Sequence, residues 1–206
     1  QNAHGYGLSW FEQVVDPDGK RRFEEHSIIT SRPADSPYGL SISQMHAVAL
    51  VDVDGDGVRD IVTGKRFWAH AGGDPGSQQQ PVLYWFRTIR SRSGTRFEPW
   101  LIDDRSGVGT QLVTGDISGN GLPDILVGSK MGTYLMLHES RQVTAAQLEA
   151  ARPKQRREMA HTPGTHLFSS HVRETAPKTP GEELESFTLP EGFQIELFAS
   201  EPQINK

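Results

Sequence analysis

The chain has 206 residues, a mass of 22.8 kDa and a formal net charge of -5. It contains no cysteine, which excludes disulfides, thiolate zinc sites, cysteine nucleophiles and thioether-linked haem from these residues. The acidic balance argues against a nucleic-acid partner, and the longest apolar runs, Ala47–Val51 and Val82–Phe86, are too short to span a membrane as a helix.

With 21 glycines, 13 prolines and 35% apolar residues, the chain reads as turn-rich and β-rich. The first element is a hairpin. Trp10-Phe11 and Arg22-Phe23-Glu24 flank the turn Asp16-Pro-Asp-Gly19. The second, Ala47 to Gly64, places apolar strands at 46–51 and 59–64 on either side of a Gly/Asp loop. The hairpin then recurs. Trp85-Phe86 and Arg96-Phe97-Glu98 flank Ser91-Arg-Ser-Gly94, with strands at 82–88 and 96–102. The loop unit recurs from Gln111 to Gly128, Asp116 standing 64 residues after Asp52.

One period, His46 to Ile102, thus holds four strand signals, which predicts an antiparallel propeller blade. A β-sandwich competes, but an internal repeat favours the propeller. The expected fold class is all-β, with β-propeller blades over residues 1–140. Two blades cannot close a propeller, so the remaining blades are expected from a longer chain. Residues 141–184 read as a polar linker. Thr144 to Gln147 has the spacing of a capping box for a short helix that Pro153 would end. Residues 185–206 read as the start of a second, truncated domain, where Phe193, Ile195 and Leu197 alternate like one face of a lone strand.

The chemistry lies in the two loops. Asp52, Asp54, Asp56 and Asp60 occupy loop positions 1, 3, 5 and 9, with Gly57 at 6 and Val58 at 7. Four close carboxylates repel one another unless a cation holds them, and the Val58 carbonyl adds an oxygen. Hard oxygen donors on a flexible loop suit Ca²⁺. An EF-hand is rejected, because position 12 is Thr63 rather than Glu and the flanks are strand formers. The second loop offers Asp116, Ser118, Asn120 and Asp124 with the Leu122 carbonyl. Two carboxylates in place of four predict weaker Ca²⁺ binding there. The competing reading of either loop is an Asp/Gly-rich turn without metal.

The motif Asp-x-Asp-Gly-Asp-Gly-x-x-Asp-Ile at Asp52–Ile61, between strands, resembles the FG-GAP/VCBS repeat of integrin-α-like calcium-loop propellers. The resemblance covers residues 8–138, with Ser118 and Asn120 departing from the acidic pattern. It implies structural Ca²⁺ in an extracellular, periplasmic or cell-envelope protein. Leu189 to Pro202 is similar to the opening strand of the membrane-bound dehydrogenase domain of planctomycete-type proteins, in which a c-type haem domain often follows. The match is confined to this short stretch, and none of its residues is a catalytic position of that domain.

Two functions follow as expectations. One is a non-catalytic, calcium-binding scaffold or interaction module. The other is an accessory N-terminal region of a sugar- or alcohol-dehydrogenase-like, haem-containing oxidoreductase. No catalytic constellation or organic-cofactor motif stands in the chain, and no Gly-x-Ser-x-Gly elbow. A protein or glycan partner would meet the rim loops Ser31–Gln44 and Ala71–Gln80, the latter opening as a flexible surface loop. Trp10, Trp68, Trp85 and Trp100 read as core rather than as a sugar platform. His46 reads as a blade-packing residue or a neighbour of the loop site, and His70 as a rim residue. His161, His166 and His171, and the basic run Arg152–Arg157, read as solvated linker.

Overall fold

The computed structural model describes residues 3–154, 179–188 and 194–197. The chain divides into two compact units, Gln1–Phe168 and Ser169–Lys206. The first holds nine strands among the described residues, in three antiparallel sheets. Strands β1 (Leu8–Val15) and β2 (Arg21–Ile29) form a hairpin. Strands β3 (Val48–Val51), β4 (Asp60–Gly64), β5 (Leu83–Ser91) and β6 (Gly94–Asp103) form a four-stranded sheet in chain order. Strands β7 (Leu112–Gly115), β8 (Asp124–Ser129) and β9 (Gly132–Met136) form a three-stranded sheet. The fold is therefore mostly β, and its sheets do not close. Four strands per sheet holds for the middle sheet, while its neighbours have two and three.

Side-chain alternation on β4 explains the layering. Ile61 and its cross-strand partner Phe86 pack with Leu8, Ile28, Ile29 and Met45 in one core. Val62 and Leu83 point the other way, into a second core with Val108, Ile125 and Val127. The middle sheet is thus covered by the first hairpin on one face and by β7–β9 on the other, and β4 is buried throughout. Each fully buried Ile, Leu or Phe contributes about 1.5–3 kcal/mol. The outer face of the third sheet carries an exposed apolar row among the described residues. Val113, Leu126 and Leu135 are aligned in register across β7, β8 and β9 and are 55%, 37% and 46% exposed.

The aromatic echoes occupy matching places. Trp10 stands opposite His26 in the first hairpin and stacks on it, with ring centroids 4.4 Å apart. Trp85 stands opposite Trp100 and stacks on it at 5.8 Å. Trp10 also packs against the first core, as a core residue should. The two expected rim loops are anchored to the body of the unit. Segment Ser31–Gln44 puts Leu40 and Ile42 into the first core, so it is not a free loop. The Ala71–Gln80 segment is tied by Ser77 Oγ donating to the Gly72 carbonyl at 2.7 Å and by Ser77 N donating to Asp74 O at 3.1 Å. Ser77 itself is buried, while residues 71–76 before it are exposed or half-buried, as on a surface loop.

After β9, helix α1 (Ala145–Ala151) begins with a capping box. Gln147 N donates to Thr144 Oγ1, and the Gln147 side chain accepts from Thr144 N. It stops at Arg152, before Pro153. In the second unit, helix α2 (Pro180–Glu185) follows Thr179, which exchanges the same pair of bonds with Glu182. The strand expected within residues 186–199 is absent from 186–188 and 194–197; Phe193 lies outside the described residues. Phe187, Ile195 and Leu197 are exposed, and a strand needs a partner ladder to form. His161, His166 and His171 also lie outside the described residues.

Candidate metal centres

The first acidic loop joins β3 to β4. Positive φ at Gly55 (74°) and Gly57 (84°) curls the chain, which an L side chain would resist. The curl turns amides toward Asp52. Its Oδ1 accepts from Gly55 N at 2.9 Å and Asp56 N at 3.1 Å, and its Oδ2 accepts from Gly57 N at 2.8 Å. Asp56 Oδ1 accepts from Val58 N at 2.8 Å. Asp60, fully buried at the start of β4, ties the loop to β5. Its Oδ2 accepts from Val53 N at 3.1 Å and from the Trp85 indole Nε1 at 2.8 Å, and its Oδ1 from Thr88 N at 2.8 Å. Burial pushes the Asp60 carboxyl above its ordinary range, against these three donors.

Oxygens of Asp52, Asp54 and Asp60 lie within 4.8 Å of one another. A Ca²⁺ ion with bonds of about 2.4 Å reaches donors up to about 4.8 Å apart, so these three fit one hard cation. Asp56 is turned elsewhere, toward Val58 N and toward Arg87, whose guanidinium is 3.9 Å from it. Arg87 Nε also pairs with Asp54 Oδ2 at 2.6 Å. This arginine is the positive charge that the protein itself sets against the cluster.

The second loop, between β7 and β8, makes the same bonds at positions 64 further on. Asp116 accepts from Asn120 N and Gly121 N, both at 2.9 Å, as Asp52 does from Asp56 N and Gly57 N. Asn120 Oδ1 accepts from Leu122 N at 2.8 Å, as Asp56 does from Val58 N. Asp124 Oδ2 accepts from Ile117 N at 2.9 Å, as Asp60 does from Val53 N. The other two donors differ. Ser118 N, at 2.7 Å, stands in for the Trp85 indole, and His138 N, at 2.7 Å, for Thr88 N. Backbone donation from His138 and Ser118 holds the buried Asp124 carboxyl below its ordinary range. No arginine pairs with this loop among the described residues.

Trp85, Arg87 and Thr88 act at the first loop without having been singled out for it. Trp85 and Arg87 are two apart on β5 and so share a face, which is a signal readable once the strand is placed. At the opposite end of β4, Lys65 is buried, its Nζ 3.4 Å from Ser43 Oγ and from Gln44 Oε1. Burial pushes this ammonium down to about 8. Beyond it the backbone is strained. Trp68, His70 and Ala71 all have φ near +50°, in the left-handed region that costs a side chain about 1–2 kcal/mol. Lys130 Nζ, donating to the Trp68 carbonyl at 2.7 Å, and Trp68 N, donating to Ser77 O at 2.9 Å, hold that segment.

No protein-family model matches the chain, and no curated protein matches it. Among the described residues, no helix is long and apolar enough to cross a membrane.

Proposed function

We propose that residues 8–138 form calcium-loop propeller blades of the FG-GAP/VCBS kind, serving as a non-catalytic scaffold or interaction module of an extracellular or envelope protein. The observation that carries this reading is the agreement of the two loops. Four backbone-to-side-chain hydrogen bonds recur at positions 64 apart, each loop leading into a buried aspartate at the start of the next strand. Face-to-face stacking of successive antiparallel sheets supports it. So does the exposed row Val113, Leu126 and Leu135, the face on which a further blade would pack.

In this reading the first loop takes Ca²⁺ through Asp52, Asp54 and Asp60, with Asp56 and the Val58 carbonyl completing the oxygen set. Binding neutralises the cluster and displaces Arg87 from Asp54. The second loop, with Asp116, Ser118, Asn120, Leu122 and Asp124, binds more weakly. The ion's role is structural: it fixes the loop and thereby the β3–β4 pairing.

Thermal melts test this. At a Ca²⁺ concentration 100 times the dissociation constant, binding adds about 2.7 kcal/mol, a rise of roughly 5–11 °C for a chain of this size. The rise is expected in the wild type and reduced in Asp54→Ala to what the weaker second loop supplies. Equal melting temperatures with Ca²⁺ and with chelator would contradict the proposal.

A further inference from the structure

We propose that His4, His70 and Asp74 form a site for a divalent transition-metal ion of the Zn²⁺ class, at the end of the middle sheet opposite the first acidic loop. The loop joins β3 to β4, whereas His70 and Asp74 lie in the connection from β4 to β5. Three ligand atoms meet there. His4 Nδ1 is 3.1 Å from His70 Nδ1 and 3.1 Å from Asp74 Oδ2, and His70 Nδ1 is 2.7 Å from the same Oδ2.

No arrangement of protons satisfies all three contacts. If both imidazoles carry hydrogen on Nδ1, both donate to Asp74, and the two N–H groups then oppose each other at 3.1 Å. If one lacks it, its lone pair faces the carboxylate. A cation at the centre receives all three lone pairs at once. Donors bonded to Zn²⁺ at about 2.0–2.1 Å in a tetrahedron lie about 3.3 Å apart, so the two 3.1 Å edges need to open by about 0.2 Å and the 2.7 Å edge by about 0.6 Å. Two imidazoles and one carboxylate select this class over Ca²⁺, which prefers an all-oxygen set.

Three protein ligands leave a fourth position. His46 packs edge-on against His4 with ring centroids 5.2 Å apart and lies 6.4 Å from His70. Its Nε2 is buried and has no hydrogen-bond partner among the described residues. The site is also built from a tied framework. Gln44 N donates to Gly5 O at 2.9 Å and Arg66 N to Gln44 O at 3.0 Å, joining the His4 and His46 segments to the end of β4. Tyr6 bridges to Ser43 beside them. Asp74 is fixed by its carbonyl accepting from Ser77 N and by the Gln44 amide donating to Pro75 O at 3.5 Å.

The inference is independent of calcium binding at the acidic loops, and its test separates the two. Full-length, metal-stripped protein is titrated with Zn²⁺ by calorimetry in millimolar Ca²⁺. The expected result is one tight site per chain. Both His70→Ala and Asp74→Asn should weaken it at least about 100-fold, since even outer partners of metal ligands are worth 10–100-fold. Asp54→Ala, which addresses the Ca²⁺ loop, should leave it unchanged. Asp74→Asn preserves shape, so it answers even where His70→Ala perturbs the strained segment. Co²⁺ loaded in place of Zn²⁺ should show intense visible bands that vanish in both variants and persist in His161→Ala. Absence of stoichiometric Zn²⁺ binding, or equal Zn²⁺ affinity in wild type and both variants, overturns the proposal.

Discussion

Asp60→Ala is expected to destabilise the protein by about 3–5 kcal/mol, read from urea unfolding midpoints. The side chain is fully buried and accepts three hydrogen bonds, from Val53 N, Trp85 Nε1 and Thr88 N. Alanine removes every acceptor at once. Each orphaned donor then bears a desolvation cost of about 1–3 kcal/mol, and the Thr88 amide is enclosed enough to bear it in full. The loss is structural and does not need a metal, so it should persist in chelator. Asp124→Ala should behave alike, because Asp124 accepts from Ile117, Ser118 and His138 in the same way. A loss under about 1 kcal/mol at Asp60 would mean that water or a rearranged loop satisfies those donors.

Gly64→Ala should cost about 3 kcal/mol or more. Gly64 ends β4 where the chain crosses against Val82. A Cβ there would stand 2.1 Å from the Val82 carbonyl oxygen and 3.0 Å from Leu83 Cα. Both obstacles are backbone, and Lys65 N donates to that same carbonyl at 2.8 Å, so the clash cannot be relieved by a side-chain rotation. Gly115, at the end of β7, provides the control. Nothing lies within 4 Å of its Cβ position and its φ is ordinary, so Gly115→Ala should be close to neutral. A similar small loss at both positions, measured by the same unfolding curves, would refute the close approach.

Much of the strand plan was legible because period-two alternation and turn residues agree. Strands expected at 46–51, 59–64, 82–88 and 96–102 form at 48–51, 60–64, 83–91 and 94–103. The loop glycines could be read too, since Gly57 and Gly121 both sit at the sixth position and both adopt positive φ. What failed depends on distant partners. Strand β9 is five residues long and gains its place by pairing with β8, which no local pattern announces. Ser31–Gln44 looks polar and loop-like, yet Leu40 and Ile42 are drawn into the core by the first hairpin. The tail shows the converse: Ile195 and Leu197 have strand alternation but no strand forms across 194–197.

The candidate sites divide along the same line. The acidic loops are contiguous in sequence, so their aspartates could be named from spacing. Their supports could not: Trp85, Arg87 and Thr88 reach Asp60 and Asp54 from a strand more than twenty residues on. The histidine cluster is the extreme case. His4 and His70 are separated by 66 residues and meet because the Gly5 carbonyl and Tyr6 are tied to residues 43–44. Only His70 and Asp74, four apart, are close in sequence.

The most direct test of the calcium-loop account is a calorimetric titration of Ca²⁺ into metal-free, full-length protein, run beside Asp54→Ala. The account predicts saturable binding with a stronger site that is lost in Asp54→Ala and a weaker one that remains. No heat of binding at millimolar Ca²⁺, or an unchanged isotherm in Asp54→Ala, would contradict it.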